Sequence, residues 1–96
     1  MTDYRIRTSP NGLITEVHGK KITTVRKMAK AIADETPRTV VYVEKYSDSL
    51  ADWVEVGHIA HSSNIWYEPG PRTPLRLFAL TAYTIDRNGR TTPLYR

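Results

Sequence analysis

Along the first stretch of the chain, Tyr4, Ile6 and Thr8 fall on one side of an extended segment and Arg5 and Arg7 on the other. This is the period of two that a strand imposes on its side chains. Ser9-Pro10-Asn11-Gly12 follows with turn chemistry: proline presets φ, and glycine accepts the positive φ that closes a bulged hairpin. Leu13–His18 is the expected returning strand. From Lys20 to Thr36 the period lengthens. Val25, Met28, Ala29 and Ile32 stand at i, i+3, i+4 and i+7, one stripe of a helix of about three turns. Thr23 or Thr24 is the expected N-cap. Pro37 is the stop, since the residue before a proline is driven out of helical space.

Thr39–Tyr46 and Trp53–His58 return to strand alternation, joined by a Ser47–Asp52 hairpin loop. His61-Ser62-Ser63-Asn64 reads as a turn, and Glu68–Pro74 holds three prolines that exclude regular structure. Leu75–Ile85 is a long strand candidate, Asp86-Arg87-Asn88-Gly89 a second bulged turn, and Thr91–Tyr95 a strand that Pro93 confines to an edge. The expected architecture is a single α+β domain over residues 1–96. It has an antiparallel sheet of about five or six strands, ordered ββαββ plus a C-terminal hairpin, with one helix packed on a face.

Composition narrows the chemistry. The chain has 96 residues, 40% hydrophobic and 25% charged, as expected of a chain that buries one core. It contains no cysteine, which removes disulfides, thiolate nucleophiles and Cys-ligated zinc. No apolar run approaches the roughly 18 residues of a membrane span, and MTDYRIRT lacks the apolar core of a signal peptide. A cytoplasmic protein away from membranes is expected. The net charge is +4 but unevenly spread. Residues 1–38 carry eight Lys/Arg against four Asp/Glu, 39–68 one against five, and 69–96 five against one. Basic, acidic and basic segments can therefore neutralise one another in the fold, which weakens net basicity as a sign of nucleic-acid binding.

No catalytic constellation emerges. Gly19-Lys20-Lys21 lacks the upstream glycine of a phosphate-binding loop. His58 and His61, with Glu55, have the spacing of a metal face only on a helix, and on a strand residues three apart point to opposite sides. His61 beside Ser62 and Ser63 has no nucleophile elbow, and Asp48, Asp52 and Glu55 sit in or near a loop. The expectation is no enzyme, no metal and no cofactor. The helix carries Arg26 and Lys27 near its start and Asp34 and Glu35 at its end, against the sense of its dipole. This reads either as an anion-attracting end together with Lys20 and Lys21, or as a solvated face on which Lys30 pairs with Asp34.

The aromatic pattern carries more. In Val41–Tyr46 the valines take one side and Tyr42, Glu44 and Tyr46 the other; in Trp53–Val56 the valines oppose Trp53 and Glu55. If the valines meet the helix, Tyr42, Tyr46 and Trp53 line the opposite face of the sheet, either as cross-strand staples or as a recognition patch. Leu75–Ile85 is apolar on both sides, so Phe78 and Leu80 need a cover. The Pro-rich segment with Ile65, Trp66 and Tyr67, a curled sheet or a second molecule would supply it, and a homodimer or docked partner is expected there.

Over Tyr4–Val56 the Pro-Asn-Gly hairpin, the Lys-rich short helix and the Trp-containing second hairpin resemble the small accessory open reading frames of phages and actinobacteria. The resemblance implies a protein that modulates a host macromolecule rather than a metabolic enzyme. Two function classes follow. The first is a non-enzymatic binding protein engaging a protein partner through Tyr42, Tyr46, Trp53, Trp66, Phe78 and Leu80. The second is nucleic-acid binding through Arg5, Arg7, Lys20, Lys21, Arg26, Lys27 and Lys30, against which Glu44 and Glu55 argue on the aromatic face.

Overall fold

The computed structural model describes residues 3–61, 63–69 and 80–94. Among these described residues it has one helix, α1 (Ile22–Glu35), and seven strands: β1 (Asp3–Ser9), β2 (Ile14–His18), β3 (Val40–Ser47), β4 (Asp52–Ala60), β5 (Ile65–Pro69), β6 (Leu80–Ile85) and β7 (Thr91–Pro93). All pairings are antiparallel and the order across the sheet is β2-β1-β3-β4-β5-β6-β7. The α+β fold with one helix on one sheet face is as the periodicity predicts.

The helix packs on β3, β4 and β1. Val25, Ala29 and Ala33 are fully buried, with Met28 and Ile32 partly so, which realises the i, i+3, i+4 stripe. Beneath them the sheet contributes Tyr4, Ile6, Val17, Val41, Val43, Ile59, Trp66 and Ile85. Each large side chain taken from water contributes about 1.5–3 kcal/mol, so this layer holds the fold together. The helix begins earlier than the threonines suggest. Lys21 is the N-cap, without a side-chain cap, because starting at Ile22 lays that residue against the core and draws Thr23 and Thr24 into the first turn. Thr36 ends it before Pro37.

The strand count exceeds the expected five or six because β5 forms where no element was expected. Its five residues lie between a turn and the proline-rich segment, too short for alternation to stand out. On β6, Tyr83 and Ile85 meet the core. Phe78 and the start of the expected Leu75–Ile85 strand lie outside the described residues, as does the side chain of Leu80. β7 ends at Pro93 on one edge of the sheet and β2 forms the other.

Candidate functional site

The face of the sheet away from the helix carries a row of side chains set by register. Arg7 stands opposite Tyr42, Tyr42 opposite His58, and His58 opposite Tyr67. With strands about 4.8 Å apart, the groups stack across four strands. The Arg7 guanidinium carbon lies 4.4 Å from the Tyr42 ring centroid. The Tyr42 and His58 rings are 5.5 Å apart and tilted, and His58 stacks on Tyr67 at 5.3 Å with 22° between planes. Towards the β3–β4 turn, Tyr46 meets Trp53 edge-on at 5.4 Å, and the Arg5 guanidinium lies 4.7 Å from the Trp53 ring.

Glu44 binds the two halves together. It is buried at 8% exposure and accepts from Arg5 Nε at 2.5 Å, with Arg7 Nε at 3.5 Å. Glu55 stands opposite Glu44, and its Oε2 lies 3.0 Å from His58 Nδ1. The arrangement corrects the sequence expectation that Glu55 and His58 point to opposite sides. The register shifts beside Val43, so that Val43 faces Gly57 while Glu44 faces Glu55. Val56 is thus the extra residue of a β-bulge, which resets the alternation. His61 does not join them: it is exposed in the turn after β4 with φ +54, and its amide donates to the Thr39 carbonyl.

Of the residues expected to bind a protein, Tyr42, Tyr46 and Trp53 therefore share one face, and the structure adds Tyr67 and His58. Trp66 does not belong with them. It is fully buried, turned to the helix side by strand alternation, with its indole N–H donating to Glu68 Oε2 at 2.9 Å. Its place in the core is open to it only because Gly57 has no side chain: a Cβ there would lie 2.1 Å from the ring.

The basic residues divide between the two faces. Arg5 and Arg7 belong to the aromatic face, while Lys20, Lys21, Arg26, Lys27 and Lys30 are carried by the helix and the segment leading into it. Lys30 is buried with Nζ 2.5 Å from Asp34 Oδ1, the i, i+4 pair expected from the sequence. Arg26 donates to the Gly89 carbonyl at 2.9 Å and lies over Trp66. Both serve the packing of the helix.

At the free edge of the sheet, His18 lies between two carboxylates, Nδ1 2.8 Å from Asp3 and Nε2 3.2 Å from Glu16. The hydrogen bond to Asp3 raises its pKa above 6.5; desolvation opposes the rise, and the charges of Asp3 and Glu16 and the Glu16 hydrogen bond add to it. The native value is the raised one, so the stabilisation is complete below about pH 6.5 and fades as pH rises through the native pKa. An NMR titration is expected to place the His18 midpoint above 6.5, and Asp3→Asn to bring it back down. An unchanged midpoint in Asp3→Asn would remove the pair as the cause.

Among the described residues no group of three or more His, Cys, Asp or Glu side chains is placed to hold a metal ion, and no helix is long and apolar enough to cross a membrane. Comparison with protein-family models, with curated proteins and with solved structures returns no match. The functional reading therefore rests on the geometry of the two faces.

Proposed function

We propose that the chain is a non-enzymatic binding protein that engages a protein partner through the aromatic face of its sheet. The observation that carries this reading is the run of Arg7, Tyr42, His58 and Tyr67 across four strands, continued by Arg5, Trp53 and Tyr46. Tyr, Trp and Arg are the residue types that dominate interface hot spots. Here the arginines are already fixed by Glu44 and by the rings beneath them, which lowers the entropy lost on binding. Arg5 and Arg7 are balanced by Glu44 and Glu55, so a polyanion finds no net attraction on this face. In keeping with the resemblance to phage and actinobacterial accessory proteins, the partner we propose is a host protein.

Affinity capture from host lysate after nuclease treatment tests the reading. Tyr42→Ala and Trp53→Ala are each expected to weaken the retained partner by at least about tenfold. Their cost to folding should be about 1 kcal/mol or less, the scale of a cross-strand pair. Retention that vanishes with nuclease, or survives both substitutions in a folded protein, would overturn it.

A further inference from the structure

The turn between β6 and β7 and the first half of the helix are separated by 63 residues, measured from Arg26 to Gly89, yet they are in contact. Gly89 is buried with φ +82, and a Cβ there would lie 2.3 Å from the Thr23 carbonyl oxygen and 2.6 Å from the Lys27 nitrogen. Arg87 and Arg90 lie within two residues of this contact. Consecutive Cα atoms are about 3.8 Å apart, so their backbones lie within about 8 Å and 4 Å of that of Gly89. The fold thus brings the backbone that carries exposed Arg87 and Arg90 against that of exposed Lys27, while exposed Lys20 and Lys21 lead directly into the same helix.

The approach of the turn bearing Arg87 and Arg90 to Lys27 is not visible in the sequence, where they stand about sixty residues apart. Among the described residues none of these five cations has a carboxylate within ion-pair distance. The acidic residue of the turn, Asp86, uses one carboxylate oxygen to accept from the amides of Asn88 and Arg90 at 2.9 and 3.0 Å. The exposed large apolar side chains of the described residues all lie outside segments 20–27 and 86–90.

We propose that Lys20, Lys21, Lys27, Arg87 and Arg90 form a second interaction surface, which contacts the phosphate backbone of nucleic acid. It is distinct from the aromatic face and independent of its partner. The chemistry favours this ligand over the other polyanions. A protein interface is built around a buried apolar or aromatic centre, and a membrane-surface helix inserts an apolar face beside its basic one. Exposed large apolar groups are missing from this patch. Phosphate contacts need only uncompensated cations, because the release of condensed counterions supplies the free energy.

The test is fluorescence anisotropy with a labelled duplex DNA of arbitrary sequence. If about four phosphates are contacted, affinity is expected to fall roughly 100-fold between about 50 and 200 mM salt. The triple variant Lys27→Glu, Arg87→Glu, Arg90→Glu should lose binding at least about 100-fold while Trp53→Ala binds as the parent chain does. Alanine at the same three positions provides a milder version should the reversal impair folding, and thermal melts check both. Three results would overturn the proposal: no binding to the duplex even at low salt, equal binding by the folded triple variant, or binding to vesicles rich in phosphatidylserine but not to the duplex. Because Trp53→Ala separates the two faces, failure here leaves the aromatic-face reading standing, and the reverse also holds.

Discussion

Replacing Gly57 with alanine is expected to destabilise the protein by about 3 kcal/mol, at the upper end of the range for overpacking a core. The new methyl group would sit 2.1, 2.4 and 2.7 Å from three atoms of the Trp66 indole. That ring has nowhere to go. It is fully buried, the largest of the wholly buried side chains, and a rigid bicycle relieves a clash only by moving as a whole. For a domain of this size the loss corresponds to a fall in melting temperature of about 12–24 °C. Trp66→Leu on its own is expected to cost about 2–5 kcal/mol through the cavity it leaves. Combined with Gly57→Ala it should cost less than the sum of the two, by about 1 kcal/mol or more, because the smaller side chain makes room for the methyl. Equilibrium unfolding of the two single variants and the double variant measures the coupling. Strict additivity would show that the methyl is accommodated by some route other than displacement of the indole.

Gly89→Ala is expected to be about as damaging, for a different reason, and Gly12→Ala is its internal reference. Both glycines have positive φ, +70 at Gly12 and +82 at Gly89, but a Cβ on Gly12 meets nothing within 4 Å. Alanine at Gly12 should therefore cost only the left-handed backbone penalty of about 1–2 kcal/mol. At Gly89 the methyl also runs into the Thr23 carbonyl and the Lys27 amide, backbone atoms that shift only if the turn lifts off the helix. A cost at least about 1 kcal/mol beyond that of Gly12→Ala is expected, together with faster amide exchange in β7 and weaker binding to duplex DNA as Arg87 and Arg90 move away. Equal costs at the two positions would mean that the turn does not bear on the helix.

The legible parts of the fold were those where one local rule suffices. Val25 and Ala29 mark the buried stripe of the helix, Pro37 its end, and Asn11-Gly12 and Asn88-Gly89 two of the hairpin turns. Tyr42, Tyr46 and Trp53 came out on one face because simple alternation holds along all of β3 and from Glu55 down to Trp53 on β4. What was illegible depends on contacts between distant segments or on a broken period. The bulge at Val56 inverts the parity between Glu55 and His58, and only the pairing with β3 reveals it. Trp66 has the composition of a surface anchor, but the neighbour that makes room for it, Gly57, belongs to another strand. The helix starts at Ile22 because of packing, which capping preferences at Thr23 and Thr24 do not register. The joining of Arg87 and Arg90 to Lys27 follows from one tight contact at Gly89.

The strand order also bears on how the chain reaches its folded state. Every pairing joins strands adjacent in sequence except β1 with β3, and the helix lies inside the loop that this pairing closes. Matching Tyr4 with Lys45 ties off roughly 40 residues, at an entropic cost of about 3 kcal/mol beyond the constant for any loop. The β3–β4 and β6–β7 hairpins close much shorter loops and can form within microseconds. The apolar stripe of the helix, meanwhile, has only the partial cover that β1 offers until Val41, Val43 and Ile59 are in place. During synthesis residues 3–39 therefore emerge with a hairpin, a helical tendency and only the part of the core that Tyr4, Ile6 and Val17 supply. They become committed to structure only when β3 and β4 follow them out.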